Sequence, residues 1–504
     1  MSWLDNVIAW FSPQAAAKRE AWRQYNDAIR NYDAGDASRL NSGWRVVNES
    51  GEATDGLYRD TVRARSRDLE RNSDLFNAVL RAYRRNVIGS GYTLQARSGD
   101  ETINSELEAL WKQWCRPRNC DVTGQQSLTE MLRMAVERKK VDGGILIHKV
   151  YTAGGVVPFK LQMIEVDELD SSLVTPKNVA HRVVNGIEFN RYNRPVGYWI
   201  RQYSFDGFSL EEPVYVKADD MIFYWSRTRP SQIREMSDMA PTVTRIRDLN
   251  EFINAVSVKE RIQACLSVFI KKIVPSAGSI GRGAAGQYGG TGKKEYDGKM
   301  IAPGMIRELN AGDEIQVINP SGQSADATNF TKLQQRLIGA GQGVSYEAVS
   351  RDMSETNYSS ARQGMIEDEL TYEEEVEKIT AILDEIYESF VVSAVLAGKI
   401  RIADFWDRKD TYFGHEWIKA PKKWIDPEKE SNANKTAIQT GQKTFKEIAA
   451  ERGRDWQAQI DDMADVMEYA RSKGLDLSVP LFGVDASTTE ESTEAELEES
   501  EDER

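Results

Sequence analysis

The longest helical pattern in the chain, over residues 358–397, limits what the rest can fold around it. Tyr372, Val376, Ile379, Leu383, Ile386 and Phe390 recur at spacings of 4, 3, 4, 3 and 4, one apolar stripe on a helix of about forty residues. Asn357, Ser359 and Ser360 suit its start, because short polar side chains accept hydrogen bonds from the unpaired N–H groups of a first turn. Gly398 suits a left-handed cap at its end. The other faces carry Glu373, Glu374, Glu375, Glu377, Asp384, Glu385 and Glu388. Such a helix packs beside other helices, copies of itself included, more often than it forms the core of a compact enzyme domain.

The 504 residues suffice for two to four domains with a substantial core. With 40% hydrophobic and 29% charged residues the composition is that of a soluble globular protein. No apolar run approaches the roughly eighteen residues needed to span a bilayer. The opening MSWLDNVIAWFSPQ has no basic n-region and reads as a short amphipathic helix, not a secretory signal. Three cysteines, Cys115, Cys120 and Cys265, do not make a disulfide framework and fit a reducing cytoplasm. Of the formal charge of −14, the last twenty residues, with ten acids and one arginine, contribute −9. This Ser-, Thr- and Glu-rich tail has almost nothing to bury and is expected to be disordered.

In chain order, residues 12–50 read as a helix followed by loop. Residues 57–88 read as one or two helices rich in arginine: Arg59, Arg63, Arg65, Arg67, Arg71, Arg81, Arg84 and Arg85. The bland expectation is an exposed helix with local ion pairs to Asp60, Asp68, Glu70 and Asp74; the functional one is an electropositive face for nucleic acid or an acidic partner. A strand follows at YTLQA and two helices over residues 103–140. Alternation in GILIHKVY, PFKLQMIEVDELD, IEFNRYNRPVGYWIRQY, EPVYVK and MIFYW, with turns at Asn185-Gly186 and Asn193-Arg194-Pro195, predicts a mainly antiparallel sheet. The first 230 residues thus read as one α+β domain. Pro241 opens another helix, on which Ile246, Leu249, Ile253 and Val256 mark one face. Then come a Gly/Ala-rich stretch, expected to be mobile, two strands (MIRELNAG and DEIQVINP), a short helix and the long one. Short helices are expected beyond Ile400.

Catalytic chemistry finds little support. GRGAAG at Gly281–Gly286 matches G-x-G-x-x-G literally, but lacks the strand and amphipathic helix of a dinucleotide site. Gly292-Lys293-Lys294 resembles the end of a P-loop, but Lys294 replaces the magnesium-binding hydroxyl and Gln287 stands where the first glycine should be. A nucleotide-dependent transferase built on residues 281–292 is the alternative function, and these gaps count against it. His148, His181 and His415 lack ligand partners at helical spacing, and His148 reads as a hydrogen-bonded core residue. No cofactor, metal site or catalytic constellation is expected.

The segment GVSYEAVSRDMSETNYSSAR, residues 343–362, resembles the signature of the lambda-type family of tailed-phage portal proteins. Other segments resemble the family in order and spacing: RARSRDLERNSDLFNAVLRAYRRNVIGSGYTLQ, FKLQMIEVDELD, RPSQIREMSDMAPTV, MIRELNAGDEIQVINP and WIDPEKESNANKTAIQTG. The resemblance covers roughly residues 55–475. Two departures are local. Asp142-Gly143-Gly144 stands where family members often have an acid after the glycine, and Glu235 follows Arg234 where glycine is common.

The resemblance implies an α+β portal fold: an α/β wing, a helical stem, a small β-containing clip, a long wing helix and a helical crown, assembled as a ring. On this chain it implies an N-terminal arm at 1–54, wing at 55–240, stem helices at 241–271 and 327–342, and clip at 272–326. A tunnel loop at 343–357, long wing helix at 358–397, crown at 398–475 and acidic tail at 476–504 complete the plan. It implies a ring, typically of twelve copies, at one capsid vertex of the virion, put together in the host bacterial cytoplasm. Double-stranded DNA would pass through it non-specifically. Partners would be the terminase large subunit, the major capsid and scaffold proteins and the head–tail connector proteins, with no membrane. A chain of net −14 is no tight DNA binder, which suits a conduit. Its expected DNA contacts are Arg351 as a phosphate partner, with Ser354, Thr356 and Asn357 as neutral hydrogen-bonding groups. The competing role for Arg351 is an intersubunit ion pair with Asp352 or Glu355. Lys293, Lys294 and Lys299 of the clip are expected at the terminase, against plain loop solubility.

Overall fold

Several helix ends in this chain fall where a side chain or a glycine caps them. The computed structural model describes residues 8, 10–30, 46, 48–173, 175–204, 206–209, 211–265, 324–354, 358–421 and 426–475. They belong to two units, Met1–Leu57 and Tyr58–Arg504. The first holds helix α1 (Pro13–Arg30) and the short α2 (Gly51–Asp55), which Ser50 caps by accepting from the Ala53 N–H at 3.3 Å.

In the second unit, α3 (Arg59–Asn72) and α4 (Asp74–Tyr83) meet at Ser73. Ser73 is extended, and its hydroxyl accepts from the Phe76 N–H at 3.3 Å, which ends one helix and starts the next. A π turn, Arg84–Ile88, continues α4 and stops at Gly89 with φ 53°. Strand β1 (Thr93–Ala96), α5 (Glu101–Trp114), α6 (Pro117–Cys120) and α7 (Leu128–Asp142) follow. Helix α7 opens on a capping box of Ser127 and Glu130 and closes on left-handed Gly143. The strands are β2 (Gly144–Val150), β3 (Lys160–Ile164), β4 (Arg182–Val184), β5 (Ile187–Phe189), β6 (Pro195–Ile200), β7 (Val214–Lys217) and β8 (Met221–Trp225). Then come α8 (Ala240–Cys265), α9 (Ser324–Gln342), α10 (Tyr346–Ser350), α11 (Tyr358–Leu396), α12 (Lys409–Tyr412), β9 (His415–Ile418), α13 (Pro427–Gln439), α14 (Phe445–Glu451) and α15 (Trp456–Ser472).

Among the described residues all strand pairs are antiparallel, as alternation predicts, but they form three sheets: β1-β9, β3-β2-β8 and β4-β5-β6-β7. Asn185 and Gly186, with φ of 49° and 80°, make the tight β4–β5 turn. A second, smaller core joins Ile187, Phe189, Tyr198 and Ile200 of the four-stranded sheet to Leu146, Ile164 and Met221 of the three-stranded one. Strand β9 pairs Trp417 with Leu94 across more than three hundred residues, a contact no local pattern announces.

The expected stripe on α11 is real: Tyr372, Val376, Ile379, Leu383, Ile386 and Phe390 are all buried. The expected packing beside other helices is met within the chain itself, Tyr372 lying edge-on to Tyr83 of α4 at 5.2 Å. The second half of α11 is the spine of the main core. Tyr387 and Phe390 lie edge-on to Trp111 at 5.8 and 5.1 Å, and Trp114 stacks on Phe159 at 5.4 Å while donating to the Phe159 carbonyl at 2.7 Å. These aromatic partners come from α5 and the segment before β3, so the chain itself fills that face. The first half of α11 leaves Met365, Ile366 and Leu370 exposed. Gly398 ends the helix at φ 65°, as expected.

The arginines of α3 also differ from expectation. Arg59 and Arg63 are buried, and most of their partners are distant in sequence. Arg63 meets Glu235 at 2.6 Å and Asp167 at 2.8 Å, besides nearby Asp60 at 3.2 Å. Arg67 meets Asp142 at 2.7 Å and Asp167 at 2.5 Å. Burial alone would push Asp167 up; Arg63 and Arg67 outweigh it and hold the carboxyl low. Arg59, Arg63 and Arg67 therefore belong to an internal network in which Glu235 supplies a fully buried negative member, while Arg65 and Arg71 of the same helix are exposed.

Candidate functional site

The pair α8 and α9 runs antiparallel: Thr242 lies by Gln342, Arg245 donates to Gln334 at 2.9 Å, and the rings of Phe252 and Phe330 are 4.7 Å apart. The near ends of both helices are anchored in a buried polar network. Gln342 Nε2 donates to the Asp238 carbonyl and to Thr242 Oγ1, both at 3.1 Å, and Tyr83 donates to the Gln342 carbonyl at 2.5 Å. Lys139, 1% exposed, donates to Asp238 and Glu375 at 2.7 Å each. Tyr224 donates to Glu375 at 2.7 Å, and Lys140 sits 3.7 Å over the Tyr83 ring. Burial would raise the Glu375 carboxyl, but Lys139, Tyr224 and Lys140 outweigh it and hold it at about 2. The network ties α7, β8 and α11 to the point from which α8 and α9 project.

Between α9 and α11 the chain makes a compact loop. Val344 N–H donates to the Gly339 carbonyl at 2.9 Å and Gly343, at φ 67°, donates to the Ala340 carbonyl at 3.4 Å, a Schellman-type stop. A Cβ on Gly339 would fall 2.5 Å from the Val344 carbonyl oxygen, so the GAGQG run is what lets the chain turn back. Ser345 then caps α10, accepting from Ala348 N–H at 3.3 Å. Its own N–H and hydroxyl donate to the two oxygens of Asp368 on α11, at 2.5 and 2.7 Å. Burial pushes the Asp368 carboxyl up despite these bonds.

Helix α10 ends at Arg351, a non-glycine residue with φ 61°. Asp352 then accepts from the Ser354 N–H at 3.0 Å and hydroxyl at 2.6 Å, and from the Tyr346 hydroxyl at 3.1 Å. These bonds hold its carboxyl low. Arg336 of α9 lies 5.4 Å over the Tyr346 ring. Much of the signature at 343–362 thus serves the fold, since Ser345, Tyr346, Asp352 and Ser354 build the loop that the motif describes.

Of the sequence-derived contacts, Arg351 is exposed and has no ion-pair partner among the described residues, Asp352 being engaged by Ser354 and Tyr346. Ser354 is exposed too, but its hydroxyl is given to Asp352. Thr356, Asn357, Glu355, Lys293, Lys294 and Lys299 lie outside the described residues, as do the Gly-rich run, the two strands expected before Pro320 and the acidic tail. The exposed Met353, which no sequence signal singles out, stands beside Arg351 in the same loop. His148 faces Gln162 at 3.4 Å and His415 faces Asp384 at 2.9 Å. Among the described residues no cluster of His, Cys, Asp or Glu is placed to hold a metal, and no helix is long and apolar enough to cross a membrane.

Comparison with known proteins adds four findings. The model of a family described as phage portal protein, lambda family, matches residues 37–375. The chain is 27% identical over 446 residues to a probable portal protein of Halomonas phage phiHAP-1, covering 84% of each. It is 21% identical over 455 residues to portal protein B of Escherichia phage lambda, covering 82% of this chain and 84% of that one. Among solved structures it is similar to a chain from the neck of an empty gene transfer agent particle, at 15% identity and TM-score 0.44, covering 77% of this chain and 93% of that one.

Proposed function

This chain belongs to the lambda family of phage portal proteins, and from that premise we propose that it forms one wall segment of a ring-shaped channel through which double-stranded DNA is packaged and ejected. In this reading residues 55–240 are the wing, 241–271 and 327–342 the stem helices, 272–326 the clip and 343–357 the tunnel loop. Residues 358–397 are the long wing helix and 398–475 the crown; residues 1–54 are an arm and 476–504 a tail. The ring sits at one capsid vertex, assembles in the host cytoplasm with capsid and scaffold proteins, and serves first the terminase large subunit and then the connector proteins. It carries out no catalysis of its own. The clip lysines 293, 294 and 299 serve docking.

The observation that carries the reading is the loop between α9 and α11. It is braced by Asp352 and Asp368 and presents Arg351 on a stiff turn. A conduit must touch a polyanion repeatedly without holding it, and one cation per copy on a fixed loop meets that need better than a basic patch. In this scheme Ser354 shapes the loop rather than donating to DNA, and Thr356 and Asn357 supply neutral contacts.

The test is replacement of the wild-type protein during phage growth, with DNA-filled and empty heads separated by density. Arg351→Glu places a like charge within a Debye length of the DNA backbone and is expected to lower the filled fraction about tenfold. Arg351→Lys is expected to retain most of it. Wild-type filling by Arg351→Glu would remove this residue from the DNA path.

A further inference from the structure

Two exposed helical faces of the second unit are apolar at their centres and opposite in charge at their edges. On α9, Phe330, Leu333 and Leu337, at i, i+3 and i+7, form one ridge and are 41–51% exposed. Arg336, over the Tyr346 ring, and the half-buried Lys332 lie along one side of it, and the packed side of the helix is marked by Ile338, which is fully buried. On α11, Ile366 and Leu370 at i and i+4 are 46% and 59% exposed, on the face opposite buried Asp368 and Tyr372. Glu374 and Glu377 continue that outward face, exposed and without an ion pair among the described residues. One positive edge thus borders the first apolar ridge, and acidic residues extend the second.

We propose that these faces are the two unlike halves of one interface, the α9 ridge of each copy docking on the first half of α11 in the next copy. The occupant is a second copy of this chain, because its own surface carries a matching apolar face with the opposite charge at its edge. Unlike halves on one chain make a heterologous contact, which closes into a ring or runs on as a filament. A self-complementary dimer would instead set Lys332 and Arg336 against their own copies. The contact also accounts for why α11 is buried along its second half by its own wing but left apolar and open along its first. The inference rests on the ring reading above and assigns the surfaces that would make it.

The experiment uses two full-length variants that change exposed positions only: Leu333→Glu with Leu337→Glu on the α9 ridge, and Ile366→Glu with Leu370→Glu on α11. Sedimentation velocity is run on wild type, on each variant and on their equimolar mixture, with thermal unfolding as the check that each is folded. Wild type is expected to form closed assemblies and each variant alone to stay monomeric. The mixture is expected to give one-to-one heterodimers and nothing larger, because one sound interface remains and the two altered faces repel. Wild-type assemblies from either variant alone would overturn the inference and leave the ring reading standing. Dimers of the α11 variant alone would overturn it in favour of a self-complementary α9 contact, and a mixture that stays monomeric would overturn it outright. Wild type that never assembles would overturn the ring reading itself.

Discussion

Lys139→Met is expected to cost about 3–5 kcal/mol, among the largest effects of any single substitution in the chain, because it leaves Glu375 buried without its main counter-charge. The double variant Lys139→Met with Glu375→Leu is expected to recover much of that loss, since a well-packed apolar pair avoids both desolvation costs. Chemical denaturation followed by tryptophan fluorescence reads both. A double variant no better than the single would mean that Lys139 acts through Asp238 and not through Glu375.

The same pair sets an acid limit. Glu375 is held at about 2 in the folded protein against a usual 4.5, so the unfolded chain takes up its proton first as pH falls. Its contribution, on the order of 3 kcal/mol, is fully present above pH 4.5 and disappears as pH falls towards 2. In the double variant this part of the pH dependence is expected to flatten.

Gly143→Ala is the second large effect. Gly143 closes α7 at φ 94°, and a Cβ there would lie 2.4 Å from the Met236 backbone carbon and 2.6 Å from its oxygen. The left-handed backbone costs about 1–2 kcal/mol for a residue with a Cβ. Overpacking against backbone adds about 1–3 kcal/mol, because neither chain has a flexible end to move away. The displaced turn is the one that launches α8: Ser237 donates to the Lys140 carbonyl at 3.0 Å and meets Ser66 at 3.1 Å. The midpoint of unfolding is therefore expected to fall by an amount comparable to that for Lys139→Met, and by more than for Gly99→Ala, where the added Cβ meets nothing. Equal shifts for the two glycine variants would show that crowding at Met236 is relieved easily.

Both substitutions strike the junction from which α8 and α9 project, and that junction shows where reading residues in order succeeds and fails. The α11 stripe, the strands between Gly144 and Trp225, the Asn185-Gly186 turn and the Gly398 cap follow from local periodicity and backbone preference, and each stands where expected. The loop signature is recognisable in the sequence, but its structural reason is not: Asp352 and Asp368 look like two more surface acids until Ser354 and Ser345 are seen to donate to them. Charged residues mislead in the same way elsewhere. Arg63, Lys139 and Glu375 sit in stretches rich in charge, and only the fold brings each to a partner about a hundred residues or more away. Pairing of β1 with β9 is invisible for the same reason, since register across three hundred residues leaves no local trace.

The most direct test of the account is electron microscopy of the purified wild-type chain, with native mass spectrometry of the same sample. A closed ring near twelve copies, with an axial opening wide enough for duplex DNA and the loop carrying Arg351 facing that opening, is the predicted result. A closed ring whose opening is lined elsewhere, with Arg351 on the outer wall, would contradict the assigned DNA path. Monomers or dimers at every concentration and salt would contradict the channel.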